Sequence, residues 1–169
     1  MPQTADGAST ASTSQGQLMR TRRFAPLFWV QFLGALNDNV FRFALIIFVT
    51  FTVAEQTGMD TRTLVVLTGA VFIVPFFLFS ALAGQLADRY EKSRLIRHIK
   101  TTEVVVMALG AGGFILGNYY FLLAVLFLMG TQSTFFGPLK YGVLPQHLQV
   151  SELTGGNGLI QMGTYGAIL

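Results

Sequence analysis

Apolar residues run almost unbroken from Phe24 to Val53, FAPLFWVQFLGALNDNVFRFALIIFVTFTV, with the polar cluster Asn37, Asp38 and Asn39 near the middle. At 1.5 Å per residue, roughly 30 residues span about 45 Å, more than the hydrocarbon core of a bilayer, so the run predicts a membrane-spanning helix with interfacial ends. Three further apolar segments, Leu64 to Ala87, Ile96 to Leu116 and Tyr119 to Leu144, each reach the length needed to span. The links are Glu55 to Arg62, Asp88 to Leu95, and Gly117 with Asn118. Links this short make consecutive helices antiparallel neighbours. Beyond a polar connection from Gln146 to Asn157, the stretch Gly158 to Leu169 reads as the start of a fifth helix. About 12 residues cannot cross a bilayer, and no C-cap follows, so the sequence is expected to be a fragment cut inside that helix.

Composition sharpens the class. With 52% hydrophobic residues, 11% charged, mean hydropathy +0.56 and 16 Phe in 169 residues, the chain departs far from the roughly 25% charged of soluble domains, and an integral membrane protein is expected. There is no Cys, which excludes disulfides and thiolate metal sites. Residues 1–19 are rich in Ser, Thr, Ala, Gly and Gln. Residues 1–23 are therefore expected to form a disordered cytoplasmic tail. A secretory signal peptide fails on length and on the lack of a small-residue cleavage site.

The net charge of +3 is informative by position. Arg20, Arg22 and Arg23 precede the first helix, and Arg89, Lys92, Arg94, Arg97 and Lys100 lie at or after the second link. The alternate links hold only Arg62 as a basic residue. The positive-inside rule then puts the amino terminus and the second link in the cytoplasm. Clustering of this kind speaks for topology and against a nucleic-acid surface.

The candidate chemistry sits inside the apolar segments. Asp38 costs on the order of 2.5–3.5 kcal/mol at the centre of a spanning helix, and such residues usually face a bundle interior or an aqueous path. It can form a switchable ion pair or handle a cation. It can also simply pair with Arg42, four residues later on the same face, which reads as structural. Lys140 lies among the helix breakers Gly130, Gly137, Pro138, Gly142 and Pro145. An ammonium there can meet a phosphate, or can snorkel to the cytoplasmic surface. Glu103 with Lys100 reads as a pair at a helix entrance. Gln132 and Ser133 suit a head group or an interhelical hydrogen bond. Gly113 with Gly117, and Ala83 with Ala87, read as packing seams, and Pro75 as a kink. His98 and His147 have no companions, so no metal or other cofactor is expected. No nucleophile, base and orienting group converge.

The loop Gly84-Gln85-Leu86-Ala87-Asp88-Arg89-Tyr90-Glu91-Lys92-Ser93-Arg94 resembles the signature of the major facilitator superfamily between its second and third helices, with Glu91 where that family often has Gly. Gly84 would permit close helix contact there. Asp88 would accept from N–H groups or basic side chains, and Arg89, Lys92 and Arg94 would hold the loop inside. The segments Phe28 to Phe41, which holds Asn37-Asp38-Asn39, Phe136 to Leu144, and Gly156 to Leu159 are similar to the bacterial lysophospholipid transporters of that superfamily, including forms fused to an acyltransferase and acyl-carrier-protein ligase. The resemblance covers residues 24–169 and implies an all-α polytopic transmembrane bundle. In these terms the chain is the partial amino-terminal half of a 12-helix fold, with four complete helices plus the start of a fifth. It further implies inward movement of lysophospholipids across the bacterial cytoplasmic membrane for re-acylation, a missing carboxyl-terminal half, and a functional acid at Asp38 flanked by Asn37 and Asn39. In the inverted-repeat scheme the first and fourth helices are equivalent, and here each carries a charge. Two alternatives stay open: the membrane portion of a bifunctional acyltransferase, and an exporter of a drug or small metabolite.

Overall fold

The computed structural model describes residues 15–169. A short helix α1 (Gln15–Leu18) leads into α2 (Ala25–Phe48), which continues through a π-helical stretch (Val49–Val53) into α3 (Ala54–Thr57). Then come α4 (Thr61–Arg89), α5 (Lys92–Leu116), α6 (Tyr119–His147) and α7 (Val150–Ile168), with no strand among the described residues. Four rods, Ala25–Thr57, Thr61–Arg89, Lys92–Leu116 and Tyr119–His147, are long and apolar enough to cross a membrane. The chain is thus a polytopic helical bundle.

The helices extend beyond the apolar segments that announce them, because local capping and not hydropathy sets their ends. Asp60 accepts hydrogen bonds from Thr63 N and Oγ1 at 3.1 and 3.2 Å, starting α4 three residues before Leu64. Asn118 caps α6 by accepting from Phe121 N at 3.0 Å. Gly58 and Gly117 end their helices with φ of 65° and 62°, a conformation that suits glycine. The largest correction concerns the expected polar connection from Gln146 to Asn157. Only Leu148 and Gln149 separate α6 from α7. Gln149 and Glu152 form a reciprocal capping box that begins the last helix at Val150 rather than Gly158.

The expected disordered tail is corrected in its final third. Leu18 is fully buried against Phe24, Phe28, Leu148 and Ile160. Arg23 Nη2 donates to Glu152 Oε1 at 2.7 Å, tying this segment to the start of α7. The rest of the tail, residues 1–14, lies outside the described residues.

In lipid the hydrophobic effect gives helices little reason to associate, so close backbone approach matters more than apolar area. The principal pairs are α4 with α6, α5 with α6, and α2 with α7. At the first of these, a Cβ on Gly130 would collide with the Phe72 carbonyl oxygen and come within 3.1 Å of Pro75 Cγ. Pro75 is buried in this seam, Ala87 packs with Phe136 and Leu139 of α6, and Ala83 is buried as well. Gly113 presses on Leu122 and Phe121, but Gly117 terminates α5 in open space and belongs to no seam. Gly84 likewise has nothing within 4 Å of a built Cβ, so the close contact expected there is absent among the described residues. Outward faces carry large apolar side chains such as Phe77 and Ile115, 83% and 86% exposed, as lipid-facing positions do.

Gly130→Ala is expected to destabilise the bundle by about 1–3 kcal/mol through overpacking. The unfolding midpoint in detergent should fall, whereas Gly112→Ala, which meets open space, should leave it unchanged. Equal midpoints for the two variants would refute the seam.

Candidate functional site

One face of α2 repeats small and polar residues at helical spacing: Gln31, Gly34, Ala35, Asp38, Asn39 and Arg42 all line a single cavity of about 280 Å³. The opposite wall comes from α6, through Gln132, Ser133, Phe136, Gly137 and Lys140, and Phe72 and Phe76 of α4, Lys100 of α5, and Thr164 and Ile168 of α7 complete the lining. The breakers expected around Lys140 are accommodated, since Pro138 and Pro145 both lie inside α6.

Asp38 faces α6. Its Oδ2 accepts from Ser133 Oγ at 2.6 Å, and this is the link that joins the two polar faces. The local alternative is not what the carboxylate uses: Arg42 instead holds its guanidinium 4.8 Å from the centroid of the Phe72 ring. Asp38 Oδ1 and Gln132 Oε1 are buried with no hydrogen-bond donor among the described residues. A buried acceptor in that state is costly, so these two atoms mark where a donor belongs. At one end of the cavity Gln31 Nε2 donates to Thr164 Oγ1 at 2.9 Å, bridging α2 and α7.

The three polar residues 37 to 39 part company because successive helical positions turn by about 100°. Asp38 and Asn39 reach the cavity, and Asn39 Nδ2 donates to Ala35 O at 2.8 Å. Asn37 points to α5 and lies 3.5 Å from Glu103 Oε1. Lys140 lines the same cavity as Asp38, with its ammonium 5.0 Å from the Tyr141 ring centroid. The loop residues stand apart. Asp88 and Arg89 are exposed, and Arg94 pairs with Glu91 at 3.2 Å on the surface. Lys92 lays its aliphatic stem over Gly142 of α6, where a Cβ would sit 2.8 Å from Lys92 Cε.

Reading by sequence left Lys100 and Glu103 at a helix entrance. They do pair, Nζ to Oε2 at 2.6 Å, but deep in the bundle: Glu103 is 8% exposed, and Lys100 sits eight positions into α5, about 12 Å along its axis. Glu103, Lys100 and Arg42 all interact electrostatically with Asp38. The available signal was that Lys100 follows Lys92 by two helical turns and so leaves the interface. Gln31 was also missed, although it lies seven residues before Asp38 on the same face.

The chain is 29% identical over 139 residues to the lysophospholipid transporter LplT of Escherichia coli (strain SE11), covering 82% of this chain and 32% of that protein. It is 30% identical over 142 residues to the protein of the same name from Cronobacter sakazakii (strain ATCC BAA-894), with the same coverage. The chain therefore spans about a third of the length of these relatives. No family model matches, and no solved structure does.

Removing the hydroxyl that links the two walls should be measurable. Ser133→Ala, which leaves Asp38 without its donor, is expected to lower stability by about 1–3 kcal/mol, seen as a drop in the detergent unfolding midpoint. Ser133→Thr, which retains the hydroxyl, should stay close to wild type; a wild-type midpoint for Ser133→Ala would discount the bond.

Proposed function

We propose that this chain forms part of a secondary transporter of the major facilitator superfamily that moves lysophospholipids inward across the bacterial cytoplasmic membrane. The observation that carries the reading is the charge make-up of the cavity. Asp38 shares it with Arg42, Lys100 and Lys140 inside a bundle of membrane-length helices. Charges there are costly unless they serve a polar cargo, and a head group with both phosphate and amine needs both signs. Similarity to proteins named lysophospholipid transporters over 82% of the chain supports the same cargo.

In this reading Asp38 receives the head-group amine or another cation, using the oxygen that lacks a donor. Asn39 steadies α2 beside it, Asn37 anchors the α5 side, and Lys140 meets the phosphate. The loop of Gly84, Asp88, Arg89, Lys92 and Arg94 holds the cytoplasmic ends in register, with the amino terminus on that same side. Alternating access would need a partner half facing the open side of the cavity. Re-acylation of the delivered lipid would fall to an acyltransferase and acyl-carrier-protein ligase, fused or separate.

The test is uptake of labelled lysophosphatidylethanolamine in cells carrying the complete gene. Asp38→Ala at equal membrane abundance is expected to reduce uptake by roughly 10- to 100-fold, the loss of one charged hydrogen bond of about 1.5–3 kcal/mol. Lys140→Gln should also reduce it. Unchanged uptake in Asp38→Ala would remove this carboxylate from the mechanism, and transport of an unrelated soluble drug in place of the lysolipid would refute the cargo.

A further inference from the structure

Lys100 occupies a place prepared for it. Its ammonium rests where a Cβ on Gly34 would stand, so this glycine leaves it room beside α2. An ammonium has three N–H donors. One goes to Glu103 Oε2 at 2.6 Å, and the group also sits 4.4 Å from the centroid of the Phe136 ring. Glu103 lines a separate groove between α2 and α5, whereas Lys100 borders both that groove and the cavity. The cavity thus receives the cation while the carboxylate that neutralises it stays on the far side. Asn37, 3.5 Å from the other oxygen of Glu103, helps to keep it there.

A buried ion pair of this kind is no gain over apolar packing, because desolvating two charges offsets their attraction. Its value lies in holding a cation ready at the cavity wall. The wall of the cavity beside it carries the two donorless acceptors, Asp38 Oδ1 and Gln132 Oε1.

Resting on the transporter reading above, we propose that Lys100 is a phosphate-binding residue of the cavity, held by Glu103 until a lysophospholipid phosphate takes a share of its ammonium. The phosphate oxygen accepts from an ammonium N–H of Lys100, while the amine or hydroxyls of the head group lie towards Asp38 and Gln132 on the same cavity wall. Glu103 is then a positioning residue that keeps the side chain extended across Gly34. Phosphate recognition would in this way be shared between α5 and α6, through Lys100 and Lys140.

The test measures half-saturating concentrations for lysophosphatidylethanolamine uptake by the complete gene product at equal membrane abundance. Lys100→Gln is expected to raise that concentration about tenfold, and Lys100→Arg, which keeps the charge, to restore most of the loss. Glu103→Gln retains the cation and frees it, so the concentration should fall or stay unchanged. A rise in Glu103→Gln matching that of Lys100→Gln would assign the pair to packing and overturn the proposal. Competition gives a readout that packing would not move: lysophosphatidic acid should lose potency against Lys100→Gln, and monoacylglycerol, which has no phosphate, should not. Equal loss for both competitors overturns it as well. Should Lys100→Gln fail to reach the membrane, photo-crosslinking of the wild type with a lysolipid labelled beside its phosphate should mark the α5 segment around Lys100, and labelling confined to other helices would refute the role. Wild-type protein without any lysolipid uptake would defeat the transporter reading itself, whereas uptake with an unchanged half-saturating concentration in Lys100→Gln defeats only this inference.

Discussion

A carboxylate in the middle of an apolar helix must turn away from lipid, and this requirement fixes the roll of α2. With Asp38 inward and bonded to Ser133, helical geometry brings Gln31, Ala35 and Arg42 to the same face. The π-helical stretch at Val49–Val53 inserts its extra residues beyond that polar face, towards α3, and leaves the face in register. Everything polar in the cavity is arranged around that orientation.

The packing complements the polar face and does not compete with it. Close contacts that hold the bundle set Gly130 against the Phe72 carbonyl and Gly110 against the Phe41 ring. Apolar clusters seal both ends: Leu45, Val49 and Leu122 at one, and Leu18, Phe24 and Ile160 at the other. The space between is left for charged and amide groups, and among the described residues Asp38 Oδ1 and Gln132 Oε1 lack protein donors there, while Tyr119 Oη is the one other buried polar atom without a partner. Such vacant valence suits a polar cargo better than it suits stability.

Much of the fold was legible because hydropathy reports burial in lipid directly: the spanning segments and the short links at Gly117 and Asn118 can be read off the chain. The helix ends were not, since Asp60 and the Gln149–Glu152 box act through local pairs of hydrogen bonds that hydropathy ignores. Leu18 and Arg23 were misjudged for a related reason. Their partners, Ile160 and Glu152, lie more than a hundred residues away in sequence, and a polar composition cannot show that one leucine finds a socket. Within the site, Asp38 and Lys140 stood out as charges in apolar surroundings, and the fold brings both to one cavity. Lys100 was read as interfacial because it follows a run of basic residues near the helix entrance and shares their chemistry.

The sequence by itself determined that this is a polytopic helical membrane protein, that its helices alternate in direction, and that Asp38 is an anomaly needing an inward face. Those conclusions rest on length, period and charge, all local quantities. Only the tertiary structure decided which charges share a compartment. It separated Asn37 from Asp38, turned Arg42 onto Phe72, and carried Lys100 across Gly34 to the cavity with Glu103 behind it. Helix crossings set those outcomes, and a crossing depends on the shapes of two distant segments, of which neither alone records the other.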